Sequence, residues 1–182
     1  MAFILGKKFR MTQIWKDGKI IPVTQVLATP NKVSIVRTEE KDGYQAVQIQ
    51  LGRTKKEFKT SDSSLEKGSE INVSVFKEGD IVKVAGTMKG RGYQGAVKRH
   101  GFHGGPATHG QKNRQRAVGS IGATAPQRVT PGHRMAVHMG DTRITVTNLT
   151  IVGVDPEKNL LLIKGAVPGA INGVLEITSA AK

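Results

Sequence analysis

Apolar residues recur at both ends of this chain in short runs of period two, separated by turn-forming residues. The cleanest is Val47-Gln48-Ile49-Gln50-Leu51, where every second position is apolar. Such alternation predicts a strand with one buried face. Asp42-Gly43 separates this run from Val33-Ser34-Ile35-Val36, and Lys16-Asp17-Gly18 separates Ile14-Trp15 from Ile20-Ile21-Pro22-Val23. Both read as hairpins. Lys77-Glu78-Gly79-Asp80 predicts a third, joining Ile71-Asn72-Val73-Ser74-Val75 to Ile81-Val82-Lys83-Val84. Near the C-terminus, Ile144 and Val146 share one phase and Leu149 and Ile151 the other. The slip at Thr147-Asn148 predicts a β-bulge. Asp155-Pro156-Glu157-Lys158 is a turn with proline at its second position. The unbroken run Leu160-Leu161-Leu162-Ile163 predicts a strand buried on both faces. Residues 53–68 are polar and fit a short helix or a loop equally well.

Many short strands with close turns predict a mainly β fold, a barrel or a sandwich. Residues 144–182 are too few to form a core of their own. Their strands therefore join those of residues 1–85 in one sheet system. Residues 86–143 become an excursion from that system, and the pattern fails there. Their apolar positions fit neither period two nor period 3.6 for long. Alone, such a segment is expected to be disordered or loosely extended.

Charge sharpens the division. The chain of 182 residues carries a formal net charge of +14. Residues 86–143 hold ten Lys/Arg against a single acid, Asp141, with all five histidines and 12 of the 22 glycines. Residues 1–85 hold 15 Lys/Arg against ten Asp/Glu, and residues 144–182 three against three. Positive charge this concentrated calls for a polyanion. An anionic membrane fits poorly, because no run approaches a spanning helix and no long basic amphipathic stretch occurs. No signal or transit segment is evident, and the absence of cysteine suits a reducing cytoplasm. Nucleic acid is the expected partner. Glycine admits a backbone close to a phosphate or base, Lys and Arg neutralise phosphate, and aromatic rings stack on unpaired bases. The residues expected to contact RNA are Lys89, Arg91, Tyr93, Lys98, Arg99, His100, Phe102, His103, His109, Lys112, Arg114, Arg116, Arg128, His133, Arg134, His138 and Arg143, with Lys7 and Lys8 near the N-terminus.

Other chemistries fit less well. Gly90-Arg91-Gly92-Tyr93-Gln94-Gly95 matches the dinucleotide pattern G-x-G-x-x-G. No helix with an apolar face is expected after it, and no acid stands at the ribose-binding distance, the next being Asp141. The histidines have neither a cysteine nor a second carboxylate nearby, and the surrounding cations oppose metal binding. The block lacks paired acids, and Ser120 is not in a nucleophile elbow. The expectation is a non-enzyme without cofactor, metal or small-molecule substrate.

Three motifs, spread in order along nearly the whole chain, resemble one family. Gly6-Lys7-Lys8-Phe9-Arg10-Met11-Thr12-Gln13-Ile14-Trp15 resembles its opening strand. Gly86-Thr87, Gly90–Gly95 and Lys98-Arg99-His100-Gly101-Phe102 resemble its most specific motif. Asn159-Leu160-Leu161-Leu162-Ile163-Lys164-Gly165-Ala166-Val167-Pro168-Gly169 resembles its closing strand and turn. The family is the bacterial-type large-subunit ribosomal protein three. The resemblance implies a translation-protein-type β-barrel carrying a long Gly/basic extension inserted between its strands. It implies binding near the 3′ end of the large-subunit ribosomal RNA, nucleation of subunit assembly, and an extension directed toward the peptidyl-transferase centre. Neighbouring large-subunit ribosomal proteins are implied partners, and the ribosome the implied location. A free-standing RNA chaperone or translation-factor-like module is the alternative. The chain departs from the family at Phe9-Arg10, at Ala123-Thr124-Ala125-Pro126, where some members carry a methylated glutamine, and at Thr130-Pro131-Gly132.

Overall fold

The structure, a computed structural model, describes residues 2–16, 18–60 and 65–180. Its strands in chain order are β1 (Phe3–Lys16), β2 (Lys19–Leu27), β3 (Asn31–Arg37), β4 (Ala46–Leu51), β5 (Thr54–Lys59), β6 (Glu70–Ile71), β7 (Ile81–Thr87), β8 (Tyr93–Gln94), β9 (Val137–His138), β10 (Arg143–Asp155), β11 (Leu160–Lys164) and β12 (Val174–Ser179). Two short helices, α1 (Glu39–Asp42) and α2 (Ala96–His100), complete the regular structure with one 3₁₀ turn at Val73–Val75. The fold is mainly β. It divides into two compact units, Met1–Met88 with Arg143–Lys182, and Lys89–Thr142.

In the first unit six strands close a barrel in the order β1-β12-β7-β10-β11-β2, every pairing antiparallel. The strands on either side of the basic block lie side by side, with Arg143 opposite Thr87 and Ile144 opposite Gly86. All six strands supply the barrel core, through residues such as Ile4, Val26, Val84, Ile151, Leu161 and Ile177. A second sheet, β5-β4-β3-β6, packs on the outside of β1. Phe3 and Leu5 point there, toward Val33, Val47, Ile49 and Ile71, and Phe3 stacks on Phe58 with ring centroids 4.8 Å apart. The start of β1 is thus buried on both faces. The fully buried Asn31 fixes the entry to β3 by donating from Nδ2 to the Leu5 and Thr29 carbonyls.

Several expectations hold at the level of register. β1 and β2 form the predicted hairpin down to Lys16 opposite Lys19, with Asp17 of its turn outside the described residues. β3 pairs with β4, although α1 precedes the turn at Gly43. The register of β10 against β7 shifts between Val146 and Leu149, the site of the predicted bulge, and Asn148 there has a positive φ. Lys158 N donates to Asp155 Oδ1 across the predicted turn. One expectation fails here: within 53–68 the polar run Thr54–Lys59 is neither helix nor loop but strand β5, ordered by its pairing with β4 rather than by any apolar alternation of its own, and residues 61–64 lie outside the described residues.

Two further expectations are corrected. The hairpin through Lys77–Asp80 does not form. β6 pairs with β3, while β7 pairs with β10 and β12. Between them the 3₁₀ turn brings Val73 and Phe76, three residues apart, into the barrel core. Positions i and i+3 share a face in such a turn, which a period-two reading cannot register. The run Leu160–Ile163 is not buried on both faces. Leu161 and Ile163 face the core, whereas Leu160 and Leu162 are half-buried on the barrel exterior.

Ile177 is fully buried on β12, between β1 and β7. Ile177→Ala should lower the unfolding free energy by about 2–5 kcal/mol, since the surroundings can only partly fill the void. Ile171→Ala, at a position 64% exposed, should stay within about 0.5 kcal/mol of the parent in the same urea titration.

Candidate nucleic-acid interface

The second unit is built with almost no core. Of residues 89–142 only Ala96 and Gly140 are buried. Backbone pairing does the work instead. Tyr93 lies opposite His138 and Gln94 opposite Val137 in the β8-β9 ladder. Arg91 N donates to the Met139 carbonyl and Met139 N to the Gly92 carbonyl, each at 2.8 Å. Gly140 makes this approach possible. Its φ is +85°, and a Cβ there would stand 2.3 Å from the Lys89 carbonyl oxygen. The Tyr93 hydroxyl, on a ring 74% exposed, donates to the Ala136 carbonyl, and His100 Nε2 lies 3.0 Å from the Met135 carbonyl.

The glycine motif leads into a short helix, though not into one with the apolar face that a dinucleotide-binding unit needs. α2 follows Gly95 directly, but runs only five residues before Gly101 ends it in the left-handed conformation. Its last turn is Lys98-Arg99-His100, where cations suit the negative end of the helix dipole. The run Ala96-Val97-Lys98-Arg99-His100 is too short and too polar to reveal a helix by periodicity.

Beyond α2 the chain folds back on itself. Gly105 N donates to the carbonyls of Arg114 and Gln115 at 3.0 and 3.1 Å. Gly104 permits this, because a Cβ there would lie 2.2 Å from the Gln115 oxygen. The result is a recess of about 570 Å³ walled by Phe102, His103, Gly104, Arg114, Val118 and Arg134. With His100, five residues expected to contact RNA therefore surround one concavity with a glycine backbone at its edge. The His100 ring centroid lies 6.1 Å from that of Phe102. The Gly104–Gln115 closure is set by a contact between residues eleven apart without periodicity, so no sequence signal announced the recess.

The remaining candidates are distributed more widely. Lys89, Arg91, Lys98, Arg99, His109, Lys112, Arg116, Arg128, His133 and His138 are exposed. Residues 89–142 hold nine Lys/Arg against Asp141 alone, and among the described residues no ion pair involves them. Among the described residues no three His, Asp or Glu side chains come close enough to hold a metal ion. In the first unit, Lys7 is exposed, while Lys8 Nζ donates to the Val167 and Gly169 carbonyls at 2.8 and 3.0 Å. Arg143 is paired with Glu176 through Nη2, with Nε at 3.2 Å.

Comparison with known proteins decides the family. The model of the family described as Ribosomal protein L3 matches residues 9–160. The chain belongs to that family. A large ribosomal subunit protein uL3 of Herpetosiphon aurantiacus is 46% identical, covering 98% of this chain and 96% of its own length. Its namesake from Streptococcus mutans is also 46% identical, covering 98% of this chain and 97% of its own length. A third, from Streptococcus pyogenes, is 45% identical over the same shares.

In this L3-family chain Arg143 and Lys56 flank the Glu176 carboxylate, Lys56 at 3.1 Å. Burial pushes the Glu176 pKa up, but hydrogen bonds from Arg143 and Lys56 outweigh it and hold the carboxyl below its ordinary value. A depressed carboxyl contributes stability above its unfolded-state pKa, and that contribution disappears as pH falls through the folded value. Thermal melts of the parent should therefore lose stability on acidification below about pH 4.5 more steeply than those of Glu176→Gln. Equal acid limbs would show that the Arg143–Glu176–Lys56 cluster contributes nothing at neutral pH.

Proposed function

We propose that this protein is a structural constituent of the large ribosomal subunit and a primary binder of its RNA. In this reading the β-barrel, of translation-protein type, is the platform, and residues 86–143 are the RNA-penetrating extension directed toward the peptidyl-transferase centre. Binding is near the 3′ end of the large-subunit RNA and nucleates assembly, with neighbouring ribosomal proteins as further partners. The protein acts in the cytoplasmic ribosome and is not an enzyme. One observation carries the reading: a family member places nine cations against one acid on a unit that buries only two of its residues. A segment with so little core gains its order from a polyanion that neutralises it and packs against its exposed backbone.

Each basic side chain contributes by displacing condensed counterions from a phosphate, and the aromatic rings by stacking on unpaired bases. The recess around Phe102, Arg114 and Arg134 suits an extruded nucleotide, with the guanidinium groups near its phosphate. With about ten phosphate contacts, binding to large-subunit RNA should show a log–log salt slope of about −7. A slope near zero would refute the proposal. Arg114, Arg116 and Arg128 together replaced by Ala should make the slope shallower by about 2 and impair subunit assembly. The melting temperature should barely move, since all three side chains are exposed. Sucrose-gradient sedimentation of the tagged protein should show it with the large subunit throughout.

A further inference from the structure

Among the described residues the outer part of the β1-β2 hairpin leaves one largely apolar face uncovered. Gln13 and Trp15 of β1 lie opposite Pro22 and Ile20 of β2, and alternation puts these four with Met11 on one exposed side of the ribbon, whereas Thr24, opposite Met11, is fully buried. Trp15 is 71% exposed, Met11 50% and Ile20 49%. On the other side Ile14 and Ile21 are half-buried. Trp15 is the chain's only tryptophan. A paired strand that presents such a ring to solvent marks a contact surface rather than a packing position.

Charge indicates what the surface meets. Residues 7–19 hold five Lys/Arg against Asp17 alone. The rest of residues 1–85 nearly balances, with ten against nine. Almost all the positive excess of that part of the chain therefore lies on this hairpin. Lys16 and Lys19 sit opposite each other at its tip, and Lys16 is 3.9 Å from Glu78, an exposed pair that a phosphate can displace. Farther down, the Arg10 guanidinium lies 5.3 Å from the centroid of the half-exposed Phe9 ring. Exposed rings between cations, on a ribbon with one acid, match single-stranded or looped RNA better than an acidic protein groove. Base faces stack on the rings while the phosphates meet the flanking cations.

We propose that the β1-β2 hairpin is a second RNA-contact surface, separate from residues 89–142, on which Trp15 stacks against an unpaired base and Lys16 and Lys19 neutralise adjacent phosphates. This rests on the reading of the protein as a binder of ribosomal RNA. The single tryptophan makes the test direct. The full chain is titrated with a protein-free large-subunit ribosomal RNA transcript, with binding followed by RNA anisotropy and Trp15 fluorescence followed separately. Stacking should quench the indole in step with binding. Trp15→Ala should weaken binding roughly 5- to 150-fold, and Trp15→Phe should restore most of that. Lys16→Ala with Lys19→Ala should make the salt slope shallower by about 1.4. Binding without quenching, with Trp15→Ala and the lysine pair both at parental affinity and slope, would overturn the proposal and assign the ribbon to a protein neighbour. Absence of any binding would instead defeat the RNA-binding reading itself. Trp15 is exposed, so its variants should keep the parental melting temperature.

Discussion

The antiparallel pairing of β7 with β10 is what the rest of this molecule depends on. These two strands bracket the basic residues, and they pair from Arg143 opposite Thr87 onward. A segment that buries only two residues cannot offset the entropy of its own ordering. Anchored between two strands of a closed barrel, it needs only a fixed pair of ends. The cost of closing a loop grows slowly with its length, so many residues can be inserted at a modest penalty to the barrel. The barrel core supplies the offsetting free energy, with every strand contributing at least one buried side chain.

Separation of charge follows from the same division of labour. The first unit pairs several of its acids with its cations. Arg37 meets both Asp42 and Glu57, Arg143 and Lys56 meet Glu176, and Lys32 meets Glu70. Residues 89–142 have almost no acids with which to do this, so their cations face solvent. The unit is held by backbone hydrogen bonds and by glycines that admit close backbone approach, as at Gly104 and Gly140. Side chains are thereby released from structural duty. The side chains of Arg114 and Arg134 can line a recess because the turn that forms it is closed by backbone groups, the Arg114 carbonyl among them.

Two cations on the first unit behave differently. Lys8 and Arg143 carry charge that reads as a nucleic-acid contact, yet each has intramolecular partners in the barrel. Lys8 holds the segment Val167–Gly169, and Arg143 is paired with the carboxylate of Glu176 at the start of β10. Any contact of these two with RNA would have to share those side chains with the fold.

The mainly β class, the β1-β2 and β3-β4 pairings, the bulge at Asn148 and the basic block were all legible in the residues. Each is a local property: alternation, a turn residue, a phase slip or a charge count. Alternation also marks which side chains share a face, and the three motifs carried the family. Tertiary structure alone decided the rest. Val73 and Phe76 are core residues because a 3₁₀ turn aims both at the barrel, and Leu160 and Leu162 lie outside because a barrel wall has only one inner face. The helix after Gly95 is a single turn, below the length at which periodicity can speak. The recess beside Phe102 exists because Gly104 meets Gln115, and Trp15 is exposed because, among the described residues, none packs over that end of the hairpin. Pattern along a chain records which neighbours a residue has in sequence. It does not record which it meets after closure, and those meetings shaped the recess and left the hairpin face open.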